Sequence, residues 1–322
     1  MIITITVNPS TDRLYAINKF KRGKLNRVNN GKKMVGGKGI NAARVASILG
    51  ALTYASGFLG GENGKFILSS TKQDKFIPDF IHINGETRNC YTIIEKDGHK
   101  TEINEAGAPI NSKDVYLLAS RLHALMNTTD VSSISINGSL ATGMPSDSYV
   151  KLIRLIRKID PTINVILDAS GAALKNVVNS GEFPDFIKPN EHELADMLNI
   201  PVTTDAKTLM QSIVESNLVD IKNIFVSLGA NGGLVKHNST FYTVEIPKIS
   251  AINTEGSGDA TVGGMLSALD EEASFEEIMR SAMAAGTANA MESRTGYISL
   301  NNFFNIKNKI KINEMSEKVE LS

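Results

Sequence analysis

The sequence predicts an α/β fold: a mostly parallel central sheet covered by helices on both faces, giving three layers, with a small β-sheet lid standing off the core. Three observations predict it. From Ser112 onward short apolar strands alternate with helix-period segments, the rhythm of a parallel sheet with crossover helices. Two glycine turns, at 36–39 and 256–258, each open a small-residue or apolar run that reads as a helix with its N-terminus open to a ligand. Two strand-like patches, about 12–35 and 87–106, interrupt the alternation and are too polar for the central sheet. One domain spanning 1–322, with a lid built from those patches, is expected.

Taken in order, residues 1–7 alternate and lack a basic flank, so they form a first strand rather than a signal peptide. The turn at 8–12 follows its carboxyl end, the side on which open α/β sheets bind ligands, so Asp12 is placed to face one. Residues 13–35 read as weakly buried lid strands, and 87–104 as a second pair with Asp97-Gly98 at the hairpin. Between them lie a helix at 40–49 stopped by Gly50, a strand at 53–58 and a short helix from about Gly64. Helix and strand then alternate: Val115 to Leu125 on one helical face, strand 131–136 ending in Asn137-Gly138-Ser139-Leu140, helix 149–159 and strand 165–168. A short strand at 186–190, a helix at 191–198 and a strand at 224–229 with a glycine turn through Gly233 come next. Residues 240–246 read as an antiparallel edge strand, and 276–294 as a long helix whose alanines and glycine permit close packing. The tail from Asn305 is polar and lysine-rich and is assigned no chemistry.

Composition narrows the function classes. Hydrophobic residues make up 42% and charged residues 21% of 322, an ordinary soluble globular balance. Lys+Arg and Asp+Glu are equal at 34 each, which removes the simplest case for nucleic acid or an anionic membrane as partner. Cys90 is the single cysteine, so no intrachain disulfide can form and a reducing cytoplasm is expected. No apolar run approaches membrane-spanning length.

The strongest chemical signal is Asn253-Thr254-Glu255-Gly256-Ser257-Gly258-Asp259-Ala260. Its glycines let the first helical amides converge; those amides have no intrahelical acceptor and lie at the positive end of the dipole, so they bind an anion without a basic side chain. Asp259 reads either as a first-turn dipole partner or as the base that takes the proton of a hydroxyl attacking a bound phosphate. In Gly36-Gly37-Lys38-Gly39-Ile40-Asn41, Lys38 is either a solvated loop charge or a clamp for an anionic group. The P-loop pattern is absent, a dinucleotide fingerprint fails at Thr261, and the protein-kinase signatures and metal-ligand spacings of histidine are missing.

These two glycine regions resemble the signature regions of the ribokinase-like, or PfkB, carbohydrate kinases, and the likeness runs from 4–12 to 296–302. Asn26-Arg27-Val28, Gly85-Glu86-Thr87-Arg88-Asn89-Cys90 and Lys188-Pro189-Asn190 are similar to the branch that acts on sugar phosphates, the tagatose-6-phosphate kinases and 1-phosphofructokinases, and the Thr-Arg-Asn-Cys run is nearer the former. The resemblance implies a Rossmann-like, ribokinase-like sandwich that uses ATP and Mg2+ to phosphorylate a ketohexose phosphate. Tagatose 6-phosphate, giving the 1,6-bisphosphate, is the first expectation and fructose 1-phosphate the alternative. A non-catalytic sugar-phosphate sensor would be expected to lack Asp259 or the glycine loop.

By the same resemblance Asp259 is the base and Gly256, Ser257 and Gly258 present amides to the transferring phosphoryl group. Asp12 and Asn41 hold sugar hydroxyls, with the amides of Gly36 and Gly37 assisting, and Arg27, Lys38, Arg88 and Ser139 clamp the substrate's phosphate. Arg27 and Arg88 lie in the lid patches, so the substrate would help draw the lid shut. Lys188, Asn190 and Glu193 match the region near the triphosphate, with Glu193 reaching Mg2+ through water. Ser227, Gly229 and Gly232 line the ribose and phosphate side, and Asn289 lies near adenine. A homodimer through the lid is also implied. Two departures stand out: Glu255 before the glycines, where an acid would repel the triphosphate unless it meets a cation, and Ala141-Thr142 after Ser139 where proline is common.

Overall fold

The computed structural model describes residues 1–315. Strand β1 (Ile2–Thr6) leads into lid strands β2 (Ser10–Ile17) and β3 (Gly31–Gly36), after which α1 (Lys38–Ile48), β4 (Thr53–Leu59), α2 (Gly61–Ser70) and β5 (Ile77–His82) return to the core. The chain visits the lid again as β6 (Arg88–Glu95) and β7 (Lys100–Asn104). It continues through α3 (Ser112–Thr128), β8 (Ser133–Asn137), α4 (Ser148–Ile159), β9 (Asn164–Asp168), α5 (Gly171–Ser180), β10 (Phe186–Ile187), α6 (Glu191–Leu198) and α7 (Ala206–Val214). Strands β11 (Asn223–Ser227), β12 (Gly233–His237) and β13 (Thr240–Glu245) precede α8 (Ser257–Asp270), α9 (Phe275–Ala290), α10 (Leu300–Lys307) and β14 (Lys311–Glu314).

The central sheet has the order β14-β13-β12-β11-β10-β9-β8-β1-β4-β5, parallel from β11 to β5 and antiparallel from β11 to β14. Its inner strands are buried on both faces, and the pleat divides their side chains between two cores. Ile3, Ile5, Val165, Leu167, Ile224 and Val226 point to the core under α3, α4 and α5, while Ile2, Ile166 and Phe225 point to the core under α1, α8 and α9. Helix α8 is wedged between α1 and α9, and its glycine pair makes the wedge thin enough. A Cβ on Gly263 would sit 2.7 Å from the Ala42 carbonyl oxygen, and one on Gly264 2.4 Å from that of Ser281. The four-stranded lid has the order β3-β2-β6-β7, with Ser10 paired to both Gly36 and Arg88. Among the described residues no helix is long and apolar enough to cross a membrane.

Several elements differ from expectation. The strand expected at the edge, β13, pairs on both sides; β14, from the lysine-rich tail, forms the edge, with Ile312 opposite Val244. A four-residue strand with one apolar side chain is too short to show an alternation. Strand β5 escapes notice for a related reason: it is a half-exposed edge strand carrying Pro78. Gly233, expected in a turn, begins β12; α2 begins at Gly61, three residues early; and α9 stops at Ala290 rather than Arg294. The rest of the tail lies outside the described residues.

Candidate active site

The order of the sheet reverses between β1 and β8, and the carboxyl ends of those strands mark the crevice where open α/β sheets bind ligands. Helix α1 starts directly over that point: a Cβ on Gly39 would lie 2.4 Å from Thr6 Oγ1 and 2.9 Å from Asn137 Nδ2. Lys38, its first residue, therefore projects along the carboxyl edge. Its Nζ lies 3.2 Å from Asp168 Oδ1, at the end of β9, and 3.8 Å from Glu193 Oε1 on α6. Lys188, just past β10, reaches the same Asp168 oxygen at 3.4 Å. Burial alone would push Asp168 up, but Lys188 and Lys38 outweigh it and hold its carboxyl below the usual range. In return Asp168 holds the Lys38 ammonium well above an ordinary lysine.

Asp259 stands on the first turn of α8 and is buried. Burial is the largest influence on it, opposed by Lys38 and reinforced by Asp168, and its pKa is pushed up to about 6. That is a carboxylate still ionised at neutral pH yet basic enough to accept a proton. Asn41 Nδ2 donates to its Oδ2 at 2.8 Å. Gly256, the N-cap, adopts φ 76°, and a Cβ there would lie 2.5 Å from Thr295 Cγ2. The Ser257 amide donates to the Thr254 carbonyl at 3.3 Å, so of the expected anion donors Ser257 is already engaged; the Gly258 and Asp259 amides have no acceptor among the described residues. Asn289, expected near adenine, is fully buried with its amide spent on the loop, donating to Glu255 O at 2.9 Å and Ser257 Oγ at 3.3 Å. It braces the glycine loop.

Asp12, on β2, faces this edge from the lid. Ser10 Oγ donates to it at 2.7 Å, burial raises its pKa, and its carboxylate lies where a Cβ of Gly36 would be, 2.2 Å from Oδ1, which is why β3 ends in glycine. The expected phosphate clamp divides into separate places. Arg88 Nη2 donates to the Asn8 carbonyl at 3.2 Å, and Asn8 Nδ2 donates to Ser139 Oγ at 3.4 Å, so Arg88 and Ser139 are gathered around Asn8. Lys38 belongs instead to the Asp168 network. Arg27 is exposed on the β2–β3 loop, lining an open pocket of about 710 Å3 with Lys19, Lys21 and Lys96 at the lid's outer end. Glu255 meets a cation: Lys100 Nζ on β7 lies 2.6 Å from its Oε1 and 2.6 Å from Glu102 Oε1.

Asn190 and Glu193 form a capping box on α6, Asn190 Oδ1 accepting from the Glu193 amide at 2.8 Å and Glu193 Oε2 from the Asn190 amide at 3.0 Å. Glu193 Oε1 remains turned toward Lys38. Ser227, bridged to Asn190, and the turn Gly229–Asn231 with Gly232 extend the same edge past β11. The donors suit a hard cation carried with a phosphate: Asp168 Oδ2 is buried without a partner, Glu193 shares Lys38 with Asp168, and no cluster of three acids, cysteines or histidines stands ready to cage a metal among the described residues.

Asp168 was legible as the end of a buried strand on the ligand edge, the rule that singled out Asp12. Arg44 and Lys100 carry weaker signals, a charge among alanines on α1 and an ordinary hairpin lysine.

A profile of the pfkB family carbohydrate kinases matches residues 2–301. The chain is 42% identical over 315 residues to a tagatose-6-phosphate kinase of Staphylococcus epidermidis, covering 98% of this chain and 100% of the relative. Among solved structures it is similar to phosphofructokinase-2 from Escherichia coli in complex with potassium, with a TM-score of 0.84, 28% identity and 96% and 98% of the two chains covered. The same enzyme in complex with fructose-6-phosphate gives a TM-score of 0.81 at 26% identity over the same shares.

Proposed function

Since the chain belongs to the pfkB family of carbohydrate kinases and is a phosphotransferase, we propose that it transfers the γ-phosphoryl group of ATP to D-tagatose 6-phosphate, forming D-tagatose 1,6-bisphosphate and ADP. The full-length likeness to a tagatose-6-phosphate kinase carries the choice of substrate. The 1-hydroxyl loses its proton to Asp259 as its oxygen bonds to the γ-phosphorus, and the bond from that phosphorus to the β,γ-bridging oxygen breaks. Asp259 is supported as base by its burial beside Lys38 and its position next to the open Gly258 amide. Arg88 and Ser139 hold the 6-phosphate, Asp12 and Asn41 the sugar hydroxyls, and Lys38 and Lys188 the transferring end of the triphosphate. Asp168 and Glu193 would hold Mg2+, partly through water, which supplies charge neutralisation on the phosphates.

The enzyme is proposed to act in the cytoplasm, in keeping with its lone thiol. It is also proposed to dimerise through the lid, where Leu25, Val28 and Ile103 are exposed; sedimentation as a monomer at micromolar concentration overturns that part. ADP release measured with tagatose 6-phosphate, fructose 1-phosphate, fructose 6-phosphate and free tagatose tests the substrate. Highest kcat/KM with tagatose 6-phosphate is expected. A preference for fructose 1-phosphate would make the chain a 1-phosphofructokinase, and activity on free sugars alone would overturn the phosphosugar reading.

A further inference from the structure

Behind the base lies a buried arginine that touches neither the sheet's open edge nor any residue of the phosphate clamp. Arg44 is 2% exposed on α1, one turn after Asn41. Its Nε donates to Asp74 Oδ2 at 2.8 Å, and its Nη1 to Asn41 Oδ1 at 2.9 Å and to the Thr295 carbonyl at 3.2 Å. Asp74 is held from its other oxygen by Arg294 Nη2 at 2.8 Å. Burying a charged side chain at this depth is costly unless it is paired and hydrogen-bonded, and the acceptors of its Nε and Nη1 lie on three separate segments.

We propose that Arg44 is a positioning residue for the phosphoryl-transfer step: by occupying Asn41 Oδ1 it compels the Asn41 amide nitrogen to face Asp259 and so fixes the hydrogen-bonded, ionised state of the base. A guanidinium has only donors, so the Asn41 atom facing it must be oxygen, and the atom facing Asp259 Oδ2 must then be the NH2 group, at 2.8 Å. With Arg44 unable to reach, the bond to Asp259 alone holds that amide against rotation. The rotated form sets oxygen against carboxylate, which disfavours the ionised base. The link is also tied to the glycine loop. Arg44 binds the 295 carbonyl, Thr295 packs where a Cβ of Gly256 would be, and a Cβ on Gly296 would lie 2.5 Å from Asn41 Cβ. The charges that face Asp259 are Lys38 and Arg44 on α1, Asp168 at the end of β9 and Lys188 after β10, with Glu193 on α6 behind Lys38.

The inference rests on Asp259 being the base, and the test separates the two. The readout is the acid limb of the kcat/KM pH profile for Arg44→Lys, Asn41→Ala and the double variant, with Asp259→Asn alongside. Arg44→Met is the stronger change but leaves Asp74 short of a partner and can unfold the chain. Arg44→Lys keeps every charge around Asp259 and offers one point donor where the guanidinium spans Asp74 and Asn41 together. Each single variant is expected to raise the acid limb by about one pH unit, the size of one charge-assisted hydrogen bond, and the double variant to add nothing to Asn41→Ala. An unmoved limb in Arg44→Lys, or additive shifts in the double variant, overturns the positioning role while leaving the base assignment standing. Retained turnover in Asp259→Asn overturns both.

Discussion

The charge network at the carboxyl edge of the sheet and the polar face of the lid are both built from opposite charges at hydrogen-bond distance, yet they differ in what holds them. Asp259, Asp168, Lys188, Asn41 and Arg44 are each at most 9% exposed and sit on strand ends or helices of the core. The lid pair, Lys100 and Glu255, is 39% and 37% exposed and joins two otherwise separate parts of the chain. In the first region the groups were desolvated on folding, so their orientation is settled before any substrate arrives. In the second, water competes for each partner, and an exposed pair contributes at most about 1 kcal/mol. On the proposed function the contrast is a division of labour: chemistry on buried elements, closure on exposed contacts. It also accounts for Glu255, an acid before an anion-binding loop, whose charge is answered by the lid.

If that division holds, the variants rank by region. Asp259→Asn should lower kcat by roughly two to four orders of magnitude with KM little changed, since only the proton acceptor is lost; near-wild-type turnover would break the comparison outright. Arg88→Ala should raise KM for the sugar phosphate roughly ten- to a hundredfold while kcat holds within a few-fold, because a charge-assisted contact to substrate phosphate is lost. An equal fall in kcat would show the lid taking part in the chemistry. The wild-type profile should sharpen the core side of the contrast: with the Asp259 carboxyl pushed up to about 6, the base is ionised above that pH and protonated below it, so kcat/KM should be flat above pH 7 and fall about tenfold per unit below 6. A limb near pH 4 would mean that burial does not tune this group. The smallest effect belongs to Lys100→Met, expected to raise KM about two- to fivefold, less so at high salt, with Glu255→Gln behaving alike and the double variant no worse than either.

Much of this is legible in the sequence. The βα rhythm, the two glycine turns and the polar patches of the lid follow from local chemistry: alternation, helix starts and hairpin signals each depend on residues within one short window. Asp259, Lys38 and Asp12 are candidates for the same reason, because a helix N-terminus or a strand end on the ligand edge names its neighbours in sequence, whereas Asn41 is a candidate by the family resemblance. What was misjudged depended on partners far away. Strand β14 is a strand only because β13 offers an edge, and Arg27, Lys38, Arg88 and Ser139 form one clamp by family resemblance while folding sets them in separate places.

The sequence by itself determined the α/β class, the lid and the two helix starts at which an anion can be bound, since each is set by local propensity and pattern. The tertiary structure decided which groups meet: Lys38 with Asp168, Arg88 and Ser139 each with Asn8, Lys100 with Glu255, and Arg44 with Asn41 and Asp74. The physical reason is that pairing and burial depend on distances between segments far apart in the chain. A carboxylate such as Asp259 acquires its proton affinity only when folding removes its water and sets Lys38, Asp168 and an oriented amide around it.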